Sequence, residues 1–257
     1  MLRRQFLSAA GAAALHADAG PAKHRARVTK LFRSPEGHPN ALEATPDGLW
    51  VGEQVSDRAY LLDWKTGNVL KKVDTESSNT SGLAFGGGYL WMGANGRAMM
   101  REPRPAELTF GRIVKVDPDT GRTVAVYRVP DEGGVHGVLW ADNSLWMTCF
   151  KWKAIVRVDP ATFQVVHRFP LHHSRPHGLA WDPPGMWVGY SDDFLFVKQD
   201  VRDGRVLEVI TLDKEKDPDP HGMDMYQGKL YYCDAGIAPP GKPSGSPSAG
   251  FICRIDY

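Results

Sequence analysis

The sequence is poor in the features that mark several common protein classes. Neither charge is in excess: the formal net charge is +1 over 257 residues. The clustered Lys/Arg surplus that grips nucleic acid is therefore missing. Cysteine is scarce, with only Cys149, Cys233 and Cys253. Three cysteines make no disulfide framework, leave at least one thiol unpaired, and show no C-x-x-C spacing for zinc. Past residue 20, no apolar run approaches the length of a membrane span. Apolar repeats at i, i+3, i+4 and i+7 are almost absent, which argues against a helical fold.

Turn formers and aromatics are plentiful. There are 27 Gly, 19 Pro and 8 Trp, and the glycines and prolines are spread out as many tight turns require. The first residues, MLRRQFLSAAGAAALHADAG, combine a basic start, a short apolar run and an A-x-A site. Arg3-Arg4 followed by x-Phe-Leu matches a twin-arginine export signal. The expectation is a signal over 1–19, a single domain over 20–257, and an exported, periplasmic or secreted product.

The rest of the chain is organised around a tripeptide. It occurs as Val135-His136-Gly137, Pro176-His177-Gly178 and Pro220-His221-Gly222. Ten residues after each histidine stands an aromatic: Trp146, Trp187, Tyr231. Asn40 leads to Trp50 and Ser81 to Trp91 by the same offset. Each of the five units has a short apolar strand, a turn such as Pro46-Asp47-Gly48, and a strand carrying the aromatic. A third strand ends in Asp: Asp63, Asp117, Asp159, Asp200 or Asp256. Four short strands recurring at this period read as propeller blades. The expected fold is all-β: a five-bladed propeller of four-stranded blades. The fifth unit stops after its third strand, so the run from Arg27 to Phe32 is expected to supply the outer strand and close the ring. The stretches 95–111 and 235–250 are loop excursions.

The shared register puts Asn40, Ser81, His136, His177 and His221 around one axis, with the three imidazoles on consecutive blades. Converging imidazoles suit a divalent transition metal such as Zn, Fe or Cu. The bland reading is that His-Gly only shapes a turn. Thirteen residues past each frame position stand Glu53, Ala94, Cys149, Tyr190 and Asp234. Glu53 and Asp234 are the candidate general bases. Asn40, Ser81, Asn95, Lys151, Tyr190 and Asp192 are candidate ligand-binding residues, and Cys149 reads as a buried small hydrophobe. The repeated Asp reads as an Asx turn, and the tryptophans as packing between blades.

The segments TPDGLWVGEQ, PHGLAWDPPGMWVGYSD and RIVKVDPDTG resemble repeats of streptogramin lyases, within the wider group of gluconolactonases and NHL-type propellers. That resemblance implies a metal-dependent opening of a cyclic ester by elimination, with base and metal-holding roles at His221 and Asp234. The lyases have seven blades, and this chain departs from that number. ALEAT and SGLAF resemble the inner strands of glutamine cyclotransferases, five-bladed exported propellers whose glutamate/tryptophan pocket falls loosely on Glu53 and Trp50. A histidine ring is not part of that pattern.

Together these readings favour an exported, metal-dependent lyase or hydrolase acting on a small cyclic ester or lactone. The alternatives are a non-catalytic ligand- or protein-binding propeller and a glutaminyl-peptide cyclotransferase. The expected partner is a small molecule, with no nucleic acid and no membrane span; a monomer is the default.

Overall fold

The structure, a computed structural model, describes residues 20–238, 242–243 and 245–257. The expected export signal over 1–19 lies outside the described residues. The chain begins with β1 (Ala22–Arg25) and β2 (Arg27–Arg33). Blade one is β3 (Pro39–Thr45), β4 (Gly48–Glu53), β5 (Ala59–Leu62) and β6 (Val69–Val73). Blade two is β7 (Thr80–Gly86), β8 (Tyr89–Asn95), β9 (Gly111–Val116) and β10 (Thr123–Arg128). Blade three is β11 (Val138–Ala141), β12 (Ser144–Cys149), β13 (Ala154–Val158) and β14 (Val165–Pro170). Blade four is β15 (Pro176–Asp182), β16 (Gly185–Tyr190), β17 (Leu195–Asp200) and β18 (Val206–Thr211). Blade five has β19 (Met223–Tyr226) and β20 (Lys229–Cys233); a small hairpin, β21 (Ile237–Ala238) with β22 (Lys242–Pro243), precedes its third strand, β23 (Phe251–Asp256).

The five-bladed propeller is as expected, and so is its closure. β2 pairs antiparallel with β23, running from Arg27↔Asp256 to Arg33↔Phe251. Blade five thus takes its outer strand from the beginning of the chain. One feature of the sheets was not foreseen. β1 runs parallel to β18, with Ala22↔Glu208 through Arg25↔Thr211, and adds a fifth strand to blade four. The beginning of the chain is therefore stitched into two neighbouring blades.

Burial falls from the axis outward. β4, β12 and β16 are buried at every residue, whereas β10 alternates between half-buried and exposed. The blades pack through the aromatics of the shared register. Trp50 lies 6.0 Å from Phe85 of the next blade, Trp91 5.9 Å from Trp140, and Trp146 5.8 Å from Trp181, ring centroid to centroid. Such pairs add about 0.5–1.5 kcal/mol each beyond the area they bury. The repeated aspartates make the expected turns. Asp63 Oδ1 accepts the amides of Lys65 and Thr66 and the Thr66 hydroxyl, and Asp117 and Asp159 repeat the pattern.

The inner strands approach one another closely. A side chain at Gly82 would overlap the carbonyl oxygen of His136, and one at Gly137 that of His177. One at Gly178 would overlap the Met223 amide, and one at Gly222 the backbone of Ala41. Glycine after four of the five frame residues, with Ala41 after Asn40, is thus what lets the inner strands close around a narrow axis. Below the frame residues the remaining axial space is only about 10 Å³, at the lower limit for one water. At this level the inner strands leave almost no free space along the axis.

Candidate functional site

The frame residues meet around the axis. In blades one, two and four the inner strand has a register shift at the frame position: Pro39/Ala41, Thr80/Gly82 and Pro176/Leu179. A bulge of this kind re-aims a side chain. In blades three and five the histidine stands just before β11 and β19. The result is a row of three imidazoles. His136 and His177 have ring centroids 4.3 Å apart with planes at 37°, and His177 and His221 are 4.3 Å apart at 64°. Phe150 presses edge-on against His136 at 4.6 Å.

The expected divalent metal (Zn, Fe or Cu) on His136, His177 and His221 is overturned. Among the described residues no group of three or more His, Cys, Asp or Glu is arranged to hold a metal ion. The physical reason is the packing of the rings. Two imidazoles on one tetrahedral ion, with nitrogens ~2.0 Å from it, keep their centroids roughly 5 Å apart. Here each ring lies against its neighbour, with His177 sandwiched between the other two.

The row is electrostatically distinctive. His177 is almost fully buried, and neither Nδ1 nor Nε2 has a hydrogen-bond partner. Nδ1 of His136 is unpartnered too. Part of His136 still reaches solvent, but protein surrounds its ring on the Phe150 and His177 sides. Burial, then the other imidazoles and the Arg175 cation, hold His136 down at about 3 and His177 well below the usual range. Both rings are therefore neutral at physiological pH. His221 Nδ1 lies 3.3 Å from the carbonyl oxygen of Asp219. A carbonyl only accepts, so Nδ1 carries a proton. The Asp219 carboxylate is 4.0 Å from the same nitrogen. Its Oδ1 is unpartnered, and burial raises its affinity for a proton above that of an ordinary aspartate.

Asn40 and Ser81, expected to complete the ring, are bonded to each other and tied into the protein. Asn40 Nδ2 donates to Gln54 Oε1 at 2.7 Å and to Ser81 Oγ at 3.3 Å. Gln54 in turn donates to Asn79. Asn40 Oδ1 remains unpartnered. Asn95 Oδ1 accepts the Val135 amide at 3.2 Å, beside the first imidazole.

The two carboxylates expected to act as bases are occupied by backbone. Glu53 is fully buried and accepts the amides of His38 (2.9 Å) and Glu36 (3.4 Å). Asp234 accepts the Gly236 amide at 2.7 Å, the Ser246 hydroxyl at 3.0 Å and the Asp219 amide at 3.3 Å. Trp50 lies in the core between blades. Lys151 is exposed, and its backbone amide donates to Asp131 at 2.7 Å. Tyr190 is buried, bonded to Gln199 Oε1 at 3.1 Å and to the His172 amide at 3.4 Å. Asp192 pairs with Arg175 at 3.2 Å. Cys149 is a buried hydrophobe whose thiol burial pushes up, and all three cysteines are free.

Two residues were missed by sequence reasoning, Arg175 and Asp219. Each stands two residues before a frame histidine, in Arg175-Pro176-His177 and Asp219-Pro220-His221. Reading the tripeptide one residue further back would have shown a cation and an anion at equivalent positions of adjacent blades. His172 and His173, both exposed, line a cavity of about 370 Å³ next to the row.

No family of proteins and no curated protein matches this sequence. Solved structures match the fold. Glutaminyl cyclase from Myxococcus xanthus superposes with a TM-score of 0.67 at 11% identity, over 92% of this chain and 97% of that one. A catalytically inactive virginiamycin B lyase from Staphylococcus aureus, with quinupristin, gives 0.50 at 14% identity, over 88% and 68%. U3-55K gives 0.55 at 11%, over 90% and 98%. At these identities the likeness is one of fold. The chain is a β-propeller distantly similar to several propeller proteins, enzymes among them.

Proposed function

We propose that this chain is an exported propeller enzyme, a lyase or hydrolase that acts on a small ester or lactone at the axial face. The observation that carries the reading is His177: a buried, neutral imidazole with both nitrogens unpartnered. Leaving a buried polar atom unsatisfied costs about 1–3 kcal/mol, so a group that bonds to it binds with advantage. A neutral imidazole has one nitrogen that accepts a proton and one that donates. With His136 and His221 each 4.3 Å away, the row offers both halves of proton transfer: removal of a proton from a ligand or from water, and return to a leaving oxygen. Asp219 holds His221 Nδ1 as the donor through its carbonyl, which leaves Nε2 for the ligand.

A second reading, ligand binding without turnover, is favoured by the saturation of Glu53 and Asp234 with backbone donors. The cyclotransferase reading draws on the fold shared with a glutaminyl cyclase, but Glu53 and Trp50 face inward here. One experiment separates the three. p-Nitrophenyl acetate, δ-valerolactone, dihydrocoumarin and an N-terminal glutaminyl peptide are offered to wild type and to His177→Ala. The proposal expects turnover of an ester or lactone that falls about 100-fold or more in the variant, with an unchanged melting temperature. Turnover of the peptide alone supports the cyclotransferase. Turnover of nothing in the panel, or the same rates in both proteins, contradicts acid–base chemistry by this row.

A further inference from the structure

The cavity beside the row lies between blades three and four. At about 370 Å³ it is in the size range of small-molecule sites. Its wall is shared with the imidazole row: Phe150 lines it and touches His136, and Pro176 lines it and precedes His177. Its chemistry is two-sided. Phe150, Leu171 and Pro176 are apolar, while Lys153 and Arg175 are cations. No carboxylate is among the lining residues.

The cations are held in an unusual way. Lys153 has φ 47° and Arg175 φ 52°, the left-handed region that residues other than glycine seldom adopt. Conformations of this kind persist only where the surroundings fix them, and they gather at ligand sites. Arg175 is braced by Asp192 at 3.2 Å, and the neighbouring His173 by Asp193 at 3.0 Å. Lys153 has no ion-pair partner among the described residues. Its ammonium is left as a free positive charge at the mouth of an apolar cavity.

We infer that this cavity binds a small amphiphilic carboxylate, its head between Lys153 and Arg175 and its apolar body against Phe150 and Leu171. This deepens the proposed function and rests on it. It places the aryl or alkyl carboxylate that hydrolysis of an ester releases beside the row. A guanidinium takes a carboxylate in a planar fork, and an ammonium adds a point charge.

Titration calorimetry with phenylacetate, phenylacetamide and acetate tests this. Phenylacetate has head and body, the amide lacks the charge, and acetate lacks the body. Saturable binding of phenylacetate is expected, with the other two at least about 10-fold weaker. Arg175→Asn and Lys153→Asn, which remove charge but tolerate the left-handed backbone, should each weaken phenylacetate about 10-fold. Lys153 is exposed, so its variant decides the matter if the Arg175 variant does not fold. Equal binding of phenylacetate and phenylacetamide, no binding of either, or wild-type affinity in the Lys153 variant overturns the inference. Intact ester turnover without preference for the anion sinks the cavity assignment alone. Anion preference together with turnover indifferent to His177→Ala sinks the catalytic reading alone.

Discussion

The carbonyl oxygen of His177 occupies the space that a side chain on Gly137 would fill. Two copies of the repeated tripeptide are thereby locked together, the glycine of one blade against the histidine of the next. The same contact recurs between Gly82 and His136. Glycine in the motif is thus a packing requirement of a five-bladed ring, and the histidine is displayed by it.

Gly137→Ala should therefore destabilise the protein by about 1–3 kcal/mol, the usual range for overpacking a tight core, and should displace His177. Chemical denaturation measures the first effect and histidine NMR shifts the second. A variant as stable as wild type would show that the inner strands have slack.

Stability should depend on pH through the far end of the axis. Asp224 on β19 accepts the amides of Ala44 and Met225, both at 2.7 Å. Burial raises it to about 7, and burial together with the Asp224 charge raises Glu43 well above the usual range. From about pH 4, the ordinary carboxylate value, up to about 7, the folded state binds more protons than the unfolded state. Stability from this pair falls as pH rises through that window. His136 acts in the opposite sense. Its folded value is about 3 against roughly 6.5 unfolded, so its contribution grows as pH rises to about 6.5. Above that pH His136 no longer contributes, whereas the carboxyl pair still does. Melting temperature should drop between pH 6.5 and 8, and Asp224→Asn should flatten the drop. An equal slope in the variant contradicts the assignment.

The excursion at 95–111 is pinned by charge. Arg101 bridges Asp57 and Glu107, and buried Asp57 also accepts the Thr80 amide and hydroxyl at 3.0 Å. In Arg101→Ala, Asp57 keeps only Arg104 at 3.5 Å as a cation. A cost of about 3–5 kcal/mol is expected for a buried charge that loses its partner, with faster protease cleavage between residues 96 and 110. Partial recovery on adding Asp57→Asn would confirm the cause; a loss under 1 kcal/mol for Arg101→Ala would refute it.

The two strands at the beginning of the chain should differ in weight. β1 lies at the outer edge of blade four, whereas β2 covers β23 and its buried Ile252, Cys253 and Ile255. Removing residues 1–25 should leave a cooperative thermal transition. Removing residues 1–33 should abolish it, because the ring then stays open at an unpaired edge. Cooperative melting of the shorter chain would show that closure by β2 is dispensable.

The fold was legible because each blade repeats a local rule: an apolar strand, a tight turn, an aromatic, an Asx turn at Asp63, Asp117 or Asp159. The register of His136, His177 and His221 was legible for the same reason, since ring symmetry turns a sequence offset into proximity. What the imidazoles do with that proximity was not. The close approach of the rings, 4.3 Å between centroids, depends on how tightly the inner strands close, which no offset encodes, and the expected metal arrangement is absent among the described residues. Glu53 and Asp234 stood at equivalent positions, but their oxygens are taken by amides of loops whose path has no periodicity. β1 is four residues long and pairs with a strand far along the chain, so no local pattern announces it.

The most direct test of the account is the ¹⁵N NMR titration of the histidine rings in labelled protein between pH 5 and 8. The account predicts that His136 and His177 stay neutral throughout. His177 titrating near its ordinary value would contradict it, because the row would then be a solvated surface feature and not a buried, unpartnered site.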